Sequence, residues 1–309
     1  MTSFARLWDS LAPLGRDPST GGYRRSAWTA EDQQCRAWFR QAAAERGLRV
    51  YADRNSNVWA WWDQPGGGTA GAVVAGSHLD SVPDGGAFDG PLGVVSAFAA
   101  IDLLRARGFV PARPIAVAAF CEEEGARFGV ACLGSRLLTG AIAPDAARAL
   151  RDSAGVSLAE AMTAAGHDPG RIGPDDEMIA SIAAYLELHI EQGRALADRD
   201  AAIGIAEGIW PHGRWRLGFT GQADHAGTAA LAGRRDPMLP YASTVLAARQ
   251  AAASSGTLAT IGKVIAEPGG ANAICSTVTA WLDARAPDET ALRGTVDQVL
   301  TAAGAAAAQ

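Results

Sequence analysis

Short apolar runs alternate with polar, glycine-rich stretches along this chain, and the texture changes after about residue 205. Apolar segments at 72–76, 115–120 and 185–189 predict strands, bounded by turn-forming residues. Cys35, Trp38, Phe39 and Ala42 recur at helical spacing behind Thr29, with Asp32 three residues on, which predicts an amphipathic helix started by a capped turn and finished by Gly47. A second helical pattern, 93–107, stops at Gly108. Strands that alternate with helices predict an α/β fold, a mostly parallel sheet with helices on both faces. The stretch 140–180, rich in Pro, Asp, Gly and Ala, predicts short helices and loops on its surface. Beyond it, strand patterns at 214–219, 259–264 and 278–283 and a helical one at 236–253 predict a smaller α+β module. The expected domains are 1–205 and 206–309, and the alanine-rich end, TAAGAAAAQ, gives no sign of completing a core.

Composition narrows the partners. With 309 residues, 48% of them apolar, the chain can bury a sizeable core in about two domains. Its net charge of −6 comes from 27 basic and 33 acidic residues spread along the sequence. No basic stripe or polybasic segment points to nucleic acid or a membrane surface, so small molecules are the expected partners. No apolar run approaches the roughly 18–20 residues of a membrane span. The opening MTSFARLWDSLAPLGRDP has no basic region followed by an apolar one, so a cytoplasmic protein is expected. Cys35, Cys121, Cys132 and Cys275 are scattered without a C-x-x-C pair, as reduced, core-packing thiols would be.

Three polar clusters each follow a predicted strand: GSHLDSVPDGGAFDG (76–90), Glu122-Glu123-Glu124, and His189 within LELHIEQG. Ligand sites in open α/β sheets lie at the carboxyl ends of strands, so three distant segments are expected to meet in one crevice. His78 with Asp80 and Asp89 offers an imidazole and carboxylates suited to a borderline divalent ion such as zinc, manganese or cobalt, with Asp80 placed to orient the His78 ring. Alone, H-x-D is more often a hydrogen-bonded loop. Three successive carboxylates repel one another unless a cation or a proton relieves them, the kind of crowding that yields a ligand and a general base; a solvated acidic turn is the plainer alternative. His189, between Leu188 and Ile190, reads by itself as a core histidine. Together the clusters fit a two-metal site whose ions share a carboxylate, with Asp89 the natural bridge.

GSHLDSVPDGGAFDGPLGV, EEGARF, LGSRLLTG, LELHIEQG, ADHAGT with RRDP, and the stretch from GGANAI to LDAR resemble the M20 metallo-hydrolases. The likeness is to the hydantoinase/carbamoylase branch, which holds N-carbamoyl-L-amino acid hydrolases, β-ureidopropionases and allantoate amidohydrolases. It implies two divalent ions per subunit (Zn, Mn or Co), one taken by His78 and His189, the other by Glu124, with Asp89 bridging. It makes Glu123 the base that takes a proton from water and returns it to the departing nitrogen. The second domain resembles a lid and homodimerisation domain, in which His225 serves the neighbouring subunit's site and stabilises a developing oxyanion with help from Asn272. Arg285 matches a clamp for the substrate carboxylate and Gln192 a substrate-contacting position. Read without the resemblance, Arg285 is equally a surface ion pair with Asp283 or Asp288, and His225 a capped loop histidine.

The sequence also departs from that pattern. In the family, the catalytic domain resumes after the lid and supplies a last histidine ligand in a GHDA-like motif. Here Gly166-His167-Asp168 precedes the lid and is followed by Pro169, so no such role is carried to His167, and the chain reads as truncated relative to the family. HAGTAAL and NAICS also differ from the usual continuations. The implied activity is cleavage of the carbamoyl (ureido) C–N bond of a small carboxylate, allantoate or an N-carbamoyl-L-amino acid, with release of ammonia and carbon dioxide. An M20 aminoacylase or peptidase, and a non-catalytic dimeric relative, are the rival readings.

Overall fold

Five strands form the first sheet: β1 (Arg49–Ala52), β2 (Val58–Trp62), β3 (Ala72–His78), β4 (Ile115–Phe120) and β5 (Ile182–Leu186), in the order β1-β2-β4-β3-β5. The computed structural model describes residues 3–68 and 70–308. Met1 and Thr2, which open the segment read above for a leader, and Gln309, which ends the alanine-rich run, lie outside them. The chain divides into two units, Met1–Asp200 and Ala201–Gln309.

In the first unit β3 pairs in parallel with β4 on one side and β5 on the other, as expected of an α/β fold. The sheet is mixed rather than mostly parallel, because β1 and β2 add an antiparallel hairpin and β2 pairs antiparallel with β4. The hairpin turn is built by Asp53, whose Oδ1 accepts from the backbone N–H groups of Asn55 (2.8 Å) and Asn57 (2.9 Å), the turn chemistry expected of Asp. Strand alternation sorts the side chains between two faces. Val58, Ala60 and Val117 pack under the helices Ser3–Leu11, Ala30–Ala44 and Pro91–Ala106, while Trp59, Trp61 and Ala116 meet Leu138 and Met178 of short helices on the other face. Thr29 caps the helix 30–44 by accepting from the Asp32 N–H, as the sequence predicts. The segment 140–180 forms the expected short helices, Pro144–Arg148, Leu158–Ala164 and Asp176–Ser181. All four cysteines are free.

The second unit contains β6 (His212–Thr220), β7 (Asp224–His225), β8 (Leu258–Glu267), β9 (Ala273–Ile274) and β10 (Thr277–Arg285). Strand β10 lies between β6 and β8 in an antiparallel sheet, and β7 pairs with β9. The helix Met238–Ser255 ends at Gly256, whose φ of 64° is the left-handed conformation glycine adopts without strain. The alanine-rich end corrects the sequence reading. Glu289–Ala307 is a helix, capped by Asp288 Oδ1 accepting from Ala291 N–H at 2.8 Å, and its Leu292, Val296, Val299 and Ala303 are buried in the core of this unit. Their spacing of four, three and four residues is an apolar stripe, and alanine supplies helix propensity around it.

Candidate active site

The parallel pairing of β3 with β4 sets His78 level with Phe120, so the loop after β3 and the acidic turn after β4 leave the sheet side by side. Strand β5 lies on the other flank of β3 and ends at Leu186, earlier than the predicted 189. The chain beyond it leaves the sheet, with Ser77 Oγ donating to Glu187, and carries His189 to the same edge.

His78, Asp89 and His189 converge there: one ligand atom from each lies within 4.8 Å of the others. Asp89 Oδ1 is 3.1 Å from His189 Nε2 and 3.9 Å from His78 Nε2, so one carboxylate faces two imidazoles. The His78 and His189 rings are stacked at 6.0 Å between centroids. Each ring is fixed from behind, His78 Nδ1 by the Asp80 carbonyl at 3.0 Å and His189 Nδ1 by the Ile190 carbonyl at 2.8 Å. A proton on Nδ1 leaves the Nε2 lone pair of both rings free to bind a metal. Gly90 makes the His78 position possible. Its φ is +83°, and a Cβ there would lie 2.5–2.6 Å from His78 ring atoms.

Asp80 works differently from the sequence expectation. Its backbone carbonyl, not its carboxylate, holds the His78 Nδ1; Oδ1 is 3.6 Å away, and Oδ2 accepts from the Glu124 N–H at 3.1 Å. Asp80 therefore ties the β3 loop to the acidic turn.

The three glutamates separate. Glu122, at φ +51°, turns into the fold, where its Oε1 accepts from the backbone N–H groups of Arg127 (2.9 Å) and Phe128 (2.8 Å). Burial pushes its carboxyl up to about 7. Glu123 Oε2 stands 3.6 Å from His78 Nε2, and its Oε1 accepts from the Cys132 thiol at 3.2 Å. Glu124 Oε1 is buried with no hydrogen-bond partner among the described residues. Burial, with Asp89, Glu123 and Asp80 nearby, raises the Glu124 carboxyl above its ordinary range despite the opposing pull of His78. Burial alone would lower His78, but Asp80, Glu123 and Glu124 outweigh it and raise it. Crowded carboxylates, a buried carboxylate oxygen unpartnered among the described residues, and two imidazole Nε2 atoms turned toward one carboxylate fit divalent cations, as an apolar or merely hydrogen-bonded loop would not.

Gln192, at φ +57°, donates from Nε2 to Asp89 Oδ2 and so steadies the shared carboxylate in this structure. Cys132, by its sequence a core-packing thiol, instead touches Glu123, a contact that depends on a loop pairing no motif announces.

In the second unit His225 and Asn272 come together, with His225 opposite Ala273 and Ala226 N–H donating to the Asn272 carbonyl at 2.9 Å. Gly227 N–H donates to His225 Nδ1 at 3.0 Å, which assigns the proton of a neutral ring to Nε2. Arg285 Nε pairs with Asp283 Oδ1 at 3.0 Å, opposite His212 on the neighbouring strand.

Residues 74–307 match the peptidase family M20/M25/M40. The chain is 40% identical over 287 residues to an N-carbamoyl-L-amino acid amidohydrolase of Geobacillus stearothermophilus, covering 91% of this chain and 69% of the relative. It is 31% identical over 296 residues to an allantoate amidohydrolase of Escherichia coli (strain K12), covering 94% and 70%. A solved amidase of the hydantoinase/carbamoylase family from Burkholderia vietnamiensis superposes with a TM-score of 0.87 at 30% identity, over 99% of this chain and 74% of that one. A match this long, with a relative this similar along most of it, means that the chain belongs to the peptidase family M20/M25/M40.

Proposed function

We propose that this protein is a divalent-metal-dependent amidohydrolase that cleaves the carbamoyl (ureido) C–N bond of a small carboxylate, allantoate or an N-carbamoyl-L-amino acid. The observation that carries the reading is the meeting of His78, Asp89 and His189 at the edge where Glu123 also stands. The substrate class rests on the relatives, named for N-carbamoyl-L-amino acids and for allantoate.

His78 and His189, with Asp89 between them, would hold one cation, and Glu124 with Asp89 a second. When bound, such ions supply Lewis acidity, which polarises a carbonyl and lowers the pKa of water. The chain's own residues then divide the proton work and the positioning. Glu123 takes the proton of the attacking water on its carboxylate and passes it to the departing nitrogen as the C–N bond breaks and ammonia leaves. Asp80 keeps the acidic turn docked beside His78. To His225, through its Nε2–H, and to Asn272 we assign stabilisation of the oxyanion in a homodimer, and to Arg285 the substrate carboxylate, met by the guanidinium N–H groups that Asp283 leaves free.

The test is ammonia release from allantoate and a panel of N-carbamoyl-L-amino acids by metal-stripped protein reloaded with manganese, cobalt or zinc. Release that depends on the metal and is lost in Glu123→Gln supports the reading. Hydrolysis of N-acetyl amino acids alone would instead identify an aminoacylase, and silence on every substrate a non-catalytic relative.

A further inference from the structure

We propose that Cys132 is a positioning residue: its thiol holds the carboxylate of Glu123 through an S–H···O hydrogen bond and so fixes which oxygen faces the His78 cluster. The inference rests on the reading of Glu123 as the general base. The Cys132 Sγ lies 3.2 Å from Glu123 Oε1, and the opposite oxygen, Oε2, is the one 3.6 Å from His78 Nε2. A carboxylate tethered at one oxygen presents the other in a defined direction, and orientation of this kind is what a general base needs.

The thiol is held in place by backbone. Residues 132–134 pair with the acidic turn, Cys132 N–H donating to the Glu123 carbonyl at 2.6 Å, Leu133 N–H to Glu122 at 3.1 Å and Gly134 N–H to Cys121 at 2.9 Å. Cys132 sits directly before the helix Leu133–Leu138 at φ +58°, a left-handed conformation that disfavours any residue with a Cβ. Glycine would suit this backbone better, yet glycine could not reach Glu123. Strain at a residue whose side chain touches the proposed base is the pattern expected where local geometry serves chemistry. Burial, together with the Glu123 carboxylate, pushes the Cys132 thiol up to about 11, so it stays a donor at neutral pH.

Cys132→Ser, Cys132→Ala and Cys132→Gly in the full chain test the proposal. Serine keeps a donor and should hold kcat within about threefold, whereas alanine and glycine should lower it about five- to tenfold with KM little changed. Cys132→Gly should match or exceed the wild-type Tm, because it relieves the left-handed backbone. Wild-type kcat in both the alanine and glycine variants would overturn the role. A readout independent of turnover is the S–H stretching band of Cys132, isolated as the infrared difference between wild type and Cys132→Ser. It should move to higher wavenumber in Glu123→Gln, where an amide oxygen replaces the stronger carboxylate acceptor. An unmoved band would overturn the hydrogen bond. Because this band needs no substrate, a protein silent on every ureido compound would refute the activity while the band still decides whether Cys132 holds Glu123.

Discussion

His189 Nε2 lies 3.1 Å from Asp89 Oδ1, joining the segment after β5 to the loop after β3. With His78 on the other side of the same carboxylate, removing the Asp89 charge should cripple cation binding without a change of shape. Asp89→Asn is expected to weaken the binding of manganese, cobalt or zinc by more than the roughly 10–100-fold that loss of a supporting partner costs. Loading with metal should raise the Tm of the wild type by mass action and do so far less in the variant. Calorimetric titration and metal counting after dialysis provide the check; wild-type affinity in Asp89→Asn would remove this cluster from consideration as a metal site.

Gly90 and Gly86 share one loop but not one environment. A Cβ on Gly90 would collide with the His78 ring at 2.5–2.6 Å, on a backbone of positive φ, whereas one on Gly86 would meet no atom of the described residues within 4 Å. Gly90→Ala should therefore cost roughly 2–4 kcal/mol from overpacking and backbone strain. Gly86→Ala should be nearly neutral. Denaturant unfolding of the two variants tests the contrast, and equal midpoints would show that the approach of Gly90 to His78 is not constrained.

The three consecutive glutamates have three different surroundings, which the bare run Glu122-Glu123-Glu124 could not reveal. Glu122→Gln should leave turnover within about threefold, because an amide oxygen can still accept from Arg127 and Phe128. Glu122→Ala, which strands both donors, should lose about 2–4 kcal/mol of stability. Glu123→Gln should fold normally and lose about 10²–10⁴-fold in kcat, the usual share of a general base. Parallel measurement of Tm and ammonia release separates the two positions; a Glu122→Gln enzyme as inactive as Glu123→Gln would mean the roles are misassigned.

Much of this was legible because buried parallel strands announce themselves as apolar runs. Ala72–His78 and Ile115–Phe120 stand out for that reason, and polar clusters directly after them mark the edge where the candidate site gathers. Their motifs carried the family resemblance, which the match over residues 74–307 bears out. The β1–β2 hairpin was less visible, since its pairing depends on the Asp53 turn and its buried tryptophans look like any apolar patch. The end of β5 is hidden in the sequence because Leu188 and Ile190 continue the apolar alternation after its ladder with β3 has stopped at Leu186. In the final helix, small alanines masked a stripe made by Leu292, Val296 and Val299. Contacts such as Cys132 with Glu123 come from tertiary loop pairing, for which no local periodicity exists.

His167, the histidine of the Gly166-His167-Asp168 sequence, is held by a hydroxyl partner. Its Nδ1 lies 3.1 Å from Ser56 Oγ, and Ser56 also receives the Trp28 indole N–H at 3.3 Å. Burial, reinforced by the Arg36 cation, lowers its pKa below the ordinary 6.5. The folded state thus resists a proton that the unfolded chain accepts. Its contribution to stability is fully present above about pH 6.5 and is lost as pH falls from there through the lower folded-state value. His167→Gln keeps a polar group at the position but cannot titrate. The wild type should therefore lose more stability than His167→Gln between pH 7.5 and 5.5, with every other histidine contributing equally to both. Urea unfolding followed by tryptophan fluorescence reads the difference at each pH. A gap between the two proteins that stays constant across this range would show that His167 is no more reluctant to charge in the fold than in the unfolded chain.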